Sequence, residues 1–344
     1  MTAVVITGTG LVGPDPGGPV AVDTGEGRPR VPQGRAFRAT SFDPVAELGR
    51  KAARFNHRST LLAIAACGAA LRDAGIEVGP DNQEGIGVTL GTFCGSVSGS
   101  VDFAWESYAQ PRPYMVNPAA FPNLVINTAA GAVAIHHGLR GANSTVAGGP
   151  LAGVLALRHA ALTLRAGHVD TVLTGASEEY GTHEAWLAAA TRPELVPGEA
   201  AGVLVVESEA AARSGGRREL ATVAAVLSST VDTADAGEVR GVLAEALERA
   251  GVESARVRRI ALRTTGAADV DAAARAAAAL VPVEPVHDEP RIGDCHAAHA
   301  AVQLVDTVEA ARHQGWAADE AGVVLALDPD GSAAVAVLTG PRTA

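Results

Sequence analysis

Three short stretches of the chain carry residue types whose spacing could do chemistry. In Asp294-Cys295-His296-Ala297-Ala298-His299, two imidazoles fall three residues apart on one predicted helix face, beside a carboxylate and a thiol. Those are metal-ligand types, but a site needs third and fourth ligands, and no H-E-x-x-H or paired-cysteine motif supplies them. No metal is therefore expected, and the two histidines are read as a solvated or partner-facing helix surface. Cys94 lies in the turn Gly91-Thr92-Phe93-Cys94-Gly95-Ser96, just ahead of a predicted helix. A helix N-terminus there would favour a thiolate nucleophile; a small core residue is the plainer alternative. Gly8-Thr9-Gly10-Leu11-Val12-Gly13 matches G-x-G-x-x-G after a strand, the pattern of a dinucleotide turn. That use needs a helix opening at the glycines, so that its N–H groups face a pyrophosphate. Pro14, Pro16, Gly17, Gly18 and Pro19 follow instead, so the stretch is read as a glycine turn after an edge strand. The chain has no G-x-S-x-G elbow and no sequence-local Cys/His pair.

The elements that must position these residues alternate between strands and helices. Strands are predicted at 3–7, 86–90, 169–175 and 201–206, with a short one ending at Thr145-Val146. Helices are predicted at 59–74, 97–108, 127–137 and 151–166, with a short one at 183–190. After Arg213-Ser214-Gly215-Gly216-Arg217 the pattern restarts. Strands at 220–227, 257–262, 283–286, 322–327 and 333–338 frame helices at 236–250, 269–280 and 296–312. The order reads as a duplicated α/β unit with buried strands, divided into halves 1–216 and 217–344 that form one compact unit. An irregular Pro/Gly/Arg segment from about Gly13 to Arg38 is the most linker-like part.

Composition narrows the function classes. The 344 residues are 47% hydrophobic but only 3% aromatic, so Ala, Val, Leu and Gly must build the core. The net charge is −11 and no Lys/Arg run stands out, which argues against nucleic acid as a partner. No apolar stretch reaches the ~18 residues of a membrane span, and no charged-then-apolar leader opens the chain. Three cysteines, odd in number and far apart, fit a reducing cytoplasm without disulfides. A cytoplasmic protein with no membrane role is expected.

Several segments together resemble the β-ketoacyl synthases, a branch of the thiolase fold. Phe42 to Ile76 (FDPVAELGRKAARFNHRSTLLAIAACGAALRDAGI) is similar to the family's FD…K-x-x-R…A-L-x-D-A-G-I segment. Gly87-Val88-Thr89-Leu90-Gly91-Thr92 is similar to its G-V-x-x-G-T strand. Asn127-Thr128-Ala129-Ala130-Gly131 with Gly138-Leu139-Arg140-Gly141 is similar to N-x-A-A-G…G-L-R-G. Val172 to Glu178 and Gly198-Glu199-Ala200-Ala201 resemble L-x-G-G-x-E and G-E-G-A. These matches run in order along nearly the whole chain, and they imply layered αβαβα architecture.

The same resemblance implies what has happened to the condensing site. The family's nucleophilic cysteine, in T-V-x-T-A-C-x-S-G, falls at Pro150 of Thr145-Val146-Ala147-Gly148-Gly149-Pro150. Proline brings neither a nucleophile nor an N–H for an oxyanion, although it suits a first helical turn. The first histidine, of H-G-T-G-T-P-x-x-D, is replaced by Arg263, which cannot serve as a general base near neutral pH. The second, of G-H-x-x-G-A-x-G, is replaced by Asp294, and the G-F-G-G loop is reduced to Asp328-Pro329-Asp330-Gly331. Arg263 and Asp294 should converge, so an ion pair is expected in the former site.

Catalytically dead members of this family are chain-length factors, the β subunits of type II polyketide synthases. The resemblance implies a heterodimer with a catalytic ketosynthase, an acyl carrier protein bearing the growing chain, and no cofactor. It also implies that the helix after the G-T turn lines the partner's tunnel, with Val97, Ser100 and Ala104 on one face at i, i+3 and i+7. Small residues there would leave the tunnel open; close helix packing is the alternative use for them. Stretches usual in the family are missing between Gly13 and Phe42, Leu187 and Gly198, and Thr230 and Glu238. Two other functions stay open: a thiolase-fold enzyme with chemistry relocated to Cys94 or the His296/His299 pair, and a scaffold homodimer.

Overall fold

A computed structural model describes residues 3–22 and 34–342. Part of the irregular Gly13–Arg38 segment, residues 23–33, lies outside the described residues. Chain order begins with β1 (Val4–Val12), the two-residue strands β2 (Val20–Ala21) and β3 (Arg35–Ala36), α1 (Pro44–Phe55) and α2 (Arg58–Asp73). Next come β4 (Ile86–Thr92), α3 (Val97–Ala109), α4 (Thr128–His137), β5 (Asn143–Ala147) and α5 (Ala152–Arg165). The first half closes with β6 (Thr171–Glu178), α6 (Thr182–Thr191), β7 (Ala200–Ser208) and α7 (Glu209–Ser214). Then follow β8 (Ala221–Thr230), α8 (Ala236–Ala250), β9 (Val257–Leu262), α9 (Ala268–Ala278), β10 (Val286–His287) and α10 (Glu289–Ile292). The described chain ends with α11 (Ala297–Gln314), β11 (Ala321–Asp328) and β12 (Ser332–Thr339).

The strands form one sheet in the order β10-β9-β11-β12-β8-β1-β7-β6-β4-β5. Strands of the second half occupy one side of this order and those of the first half the other. They meet where β8 pairs with β1 over only two residue pairs, Val5–Thr222 and Ile6–Ala221. Helices α5 and α11 pack between the two half-sheets, α2 and α4 cover the outside of one, and α8 and α9 pack against the other. Three large apolar cores fill most of this five-layer stack. Val154, Leu157 and Leu304 belong to the central one, Leu62 and Ile64 to the α2 side, and Leu243 and Ile260 to the α8 side. This is the mixed α/β, thiolase-like architecture expected of the sequence.

The structure corrects the reading of Gly8 to Gly13. Strand β1 does not stop at Gly8; it runs to Val12 with an irregularity between Ile6 and Gly8, in the middle of the sheet. The glycines are there because α2 lies directly on the strand. A Cβ at Gly8 would fall 2.5 Å from the Ala70 oxygen, and one at Gly10 would fall 2.0 Å from the Ala66 oxygen. Helix α2 meets this need with the alanines Ala66 and Ala70, and Ala74 just past its end, on a helix buried over most of its length. The pattern is a packing signature. Two smaller differences concern β10, which forms at 286–287 beyond the expected 283–286, and α1, which Asp43 caps through the Val45 and Ala46 amides.

Candidate functional site

The residues in the segments that resemble the condensing motifs meet beyond the carboxyl ends of parallel strands. Phe93 follows β4, Pro150 follows β5, Arg263 follows β9 and Asp328 ends β11; β4 runs parallel to β5, and β9 to β11. Open α/β sheets place ligands at such ends, where loops converge without blocking one another. Two helix starts complete the wall. Pro150 sits in a 3-10 turn (Gly149–Leu151) that leads into α5, and His296 directly precedes α11. Gly153 lets these starts approach, since a Cβ there would lie 2.7 Å from the Ala301 nitrogen of α11. A cavity of about 410 Å³ results, lined among others by Phe93, Pro150, Arg192, Arg263, His296 and Asp328.

At its base Arg263 and Asp294 form the expected ion pair. Arg263 donates from Nη2 to Asp294 Oδ1 at 2.8 Å and from Nε at 3.2 Å, and the two residues are only 6% and 4% exposed. The structure adds a third member. Arg192 donates from Nε to the other carboxylate oxygen at 2.6 Å, and its Nη2 meets the His296 ring nitrogen. Burial alone would raise the Asp294 carboxyl, but the Arg263 charge, helped by Arg192, holds it well below the usual range. Burial pushes His296 down to about 3 despite the pull of Asp294, with Arg192 and Arg263 adding to the shift, so the ring is neutral. His296 also stacks on Phe93, centroids 4.5 Å apart, and holds the only positive φ of a non-glycine residue among those described, 47°.

Carboxylates lie behind Phe93. Glu178, the last residue of β6, accepts the Phe93 amide at 2.6 Å and the Thr92 hydroxyl at 3.1 Å. Burial pushes its pKa up to about 8, and Glu179 and Glu184 add to the rise. Val97 shares a water-sized cavity of about 20 Å³ with Glu178, Arg192 and His296. Ser100 and Ala104, the other two tunnel candidates, stand exposed on α3.

Two sequence expectations fail here. Cys94 is exposed and so is not the small core residue, and its thiol is no ready thiolate either: partial desolvation, then the charges of Glu178 and Glu184, push it up to about 11. The helix start that follows does not outweigh them. His296 and His299 do not share a surface face either. His296 precedes the helix, while His299 is fully buried within α11, 3.4 Å from Glu289. No group of metal-ligating side chains that could hold an ion occurs among the described residues. The sequence reading missed Arg192, Phe93 and Glu178. Arg192 left a faint signal, an arginine before Pro193 at the end of a short predicted helix, in a segment read only as a trimmed loop.

With a five-layer α/β fold and a site at these strand ends, residues 25–212 match the model for the β-ketoacyl synthase N-terminal domain. The chain belongs to that family. It is 28% identical over 240 residues to 3-oxoacyl-(acyl-carrier-protein) synthase 2 of Staphylococcus aureus, covering 62% of this chain and 59% of that protein. To the Vibrio cholerae protein of the same name it is 30% identical over 141 residues, 41% of this chain and 34% of that one. The chain thus spans between a third and three-fifths of the length of these curated relatives. Among solved structures it is similar to the ishigamide ketosynthase/chain length factor, with TM-score 0.86 and 31% identity over 98% of this chain and 99% of that one. A type II polyketide synthase acyl carrier protein in complex with its ketosynthase shares the fold at TM-score 0.81 and 18% identity, over 99% of this chain and 100% of that one.

Proposed function

We propose that this chain is a chain-length factor: a non-catalytic subunit that pairs with an active ketosynthase in the cytoplasm. There it walls part of the tunnel in which the partner extends a chain carried by an acyl carrier protein. The observation that carries this reading is the Arg192–Asp294–Arg263 group beside Pro150. Asp294 is tied to two guanidiniums, an arginine is no base near neutral pH, and position 150 offers neither a thiol nor an N–H. The fold keeps the cavity while its residues lack the groups that condensation needs. Likeness to the ishigamide ketosynthase/chain length factor over nearly the full length of both chains supports the assignment.

A surface fit for a partner lies beside the tunnel candidates. Strand β5 ends the sheet order, with one edge unpaired among the described residues, which favours strand-to-strand association. Near it in sequence, α3, α4 and the segment joining them expose Trp105 (70%), Tyr108 (85%), Phe121 (59%) and Ile135 (86%). Exposed large apolar groups of this density mark interaction surfaces, and an obligate interface buries more than roughly 2,000 Å². Trimming of α3 to small residues at Ser100 and Ala104 would leave space for a long chain. In the reconstituted heterodimer, Ala104→Phe should shorten the product. Unchanged product length with an intact 1:1 complex would remove the tunnel assignment; failure to form any complex would remove the subunit assignment itself.

A further inference from the structure

The geometry points to a proton-operated strap. The segment from His287 to Gly293, which leads into Asp294, stays seated while the buried ring of His299 is neutral and is released when that ring takes a proton. Apolar packing fastens this segment weakly. Strand β10, at one end of the sheet order, pairs with β9 only through Val286–Ala261 and His287–Leu262. Helix α10 has four residues, of which Ile292 alone is buried. Charged groups supply much of the rest. Arg291 meets Asp288 and, on α11, Asp306, while Arg259 of β9 lies 3.8 Å from Asp288. Thr264, next to Arg263, donates its amide to Glu289 Oε1.

His299 meets the strap from α11, fully buried, with Nε2 3.4 Å from Glu289 Oε1. Among the described residues neither ring nitrogen has a hydrogen-bond partner. The same holds for Glu289 Oε2 and for Oε1 of Gln303, one turn further along α11. The Gln303 amide nitrogen donates to the Leu262 oxygen at 2.8 Å, which fixes that side chain beside β9. Buried polar atoms without partners are costly, and several together mark a place that responds to a proton or to water. A proton on the ring adds a second N–H donor and a charge beside Glu289. Meeting them draws the Glu289 carboxylate off the Thr264 amide or brings water in, and either change unseats the strap.

The charged groups that reach His299 are Glu289 and Asp288 of the strap, Arg263 after β9 and Asp294 before α11. Burial outweighs the pull of the carboxylates, and Arg263 adds to it, so the ring titrates below its ordinary 6.5. A ring that binds protons less well covered than hydrated makes acid favour the uncovered state. Closure is therefore intact above 6.5 and weakens as pH falls below it. Asp306 acts with the opposite sign: burial raises it to about 6 against the pull of Arg291, so its protonation favours closure. The part that responds is a wall of the cavity beside Pro150, since Thr265, Gly266 and Ala267 line it directly after Thr264. His299 is thus a positioning residue for that wall, whether or not the chain pairs with a ketosynthase.

The test is amide hydrogen exchange of the full chain at two acidities, about pH 7.5 and about pH 5.5, corrected for intrinsic exchange rates. Peptides over residues 284–293 and 263–267 are read against α2 as an internal reference. On acidification the parent should lose several-fold more protection in both stretches than His299→Gln does. One histidine can contribute at most about tenfold over that range. Helix α2 should show no difference between the two chains. Asp306→Asn removes the opposing carboxylate, so its strap should lose still more protection in acid than the parent's. Equal pH dependence in the parent and a folded His299→Gln chain would overturn the proposal. So would a strap in Asp306→Asn that keeps its protection at the lower pH, a result that holds even if His299→Gln does not fold.

Discussion

Arg263 and Asp294, 31 residues apart in sequence, meet with Nη2 2.8 Å from Oδ1 beneath a cavity that Pro150 also lines. Each belongs to a segment that resembles a histidine motif of the ketosynthases, and together they fill the space with a salt bridge. A buried ion pair needs close geometry and further hydrogen bonds to offset the desolvation of its charges. Here Arg192 and the His296 amide supply those extra bonds to the same carboxylate.

Removing that carboxylate should therefore cost more than removing the pair. Asp294→Ala leaves two guanidiniums without their partner, and a loss of about 3–5 kcal/mol is expected. The double substitution Arg263→Met with Asp294→Leu should lose less than the sum of its single changes. Urea unfolding of Asp294→Ala, the two single changes and the double variant measures both. A folded Asp294→Ala chain as stable as the parent would show the pair to be idle.

The pair was legible in the sequence because flanking small residues fixed its motif positions. Arg192 was not, since nothing near it in sequence says that the end of α6 turns back onto Asp294 from 102 residues away. Element positions were legible wherever apolar runs were long, as in α2, α5 and α8. Gly8-Thr9-Gly10 was misread because a glycine that ends a strand and one that admits a helix against a strand look alike. Only the position of α2 tells them apart. For Cys94 the local rule about helix N-termini was sound, but partial desolvation, and then Glu178 and Glu184 reaching it from other segments, outweigh it.

Packing on β1 gives a sharp substitution test. Gly10→Ala would drive a Cβ to 2.0 Å from the Ala66 oxygen, a backbone atom that cannot swing aside. Separation of α2 from the sheet should cost about 1–3 kcal/mol or more. Thermal unfolding would register this as a lowered midpoint, and an unchanged midpoint would mean that α2 does not rest on the strand.

Glu178 should make stability fall as pH rises. Its folded pKa of about 8 lies above the ordinary value of 4.5, so between those pH values the folded state binds more protons than the unfolded one. Stability from this group is fully present below about pH 4.5 and is lost on going up through pH 8, at about 1.4 kcal/mol per pH unit within the window. Glu178→Gln should flatten that fall, so its stability relative to the parent improves from pH 5 to pH 8. Parallel curves for the two chains in denaturant titrations would contradict the assignment.

The isolated chain should also fail to form an acyl-enzyme. Pro150 has no nucleophile, and the Cys94 thiol is held up at about 11. Intact-protein mass after incubation with an acyl-carrier-protein thioester should show no added acyl group. A covalent adduct on Cys94 would revive the reading in which chemistry has moved.

The subunit role is tested most directly by the native mass of this chain when co-expressed with an active type II ketosynthase. A 1:1 heterodimer is expected, with Trp105→Lys together with Ile135→Asp separating the two chains while each stays folded. Separate homodimers that never exchange subunits would contradict the account.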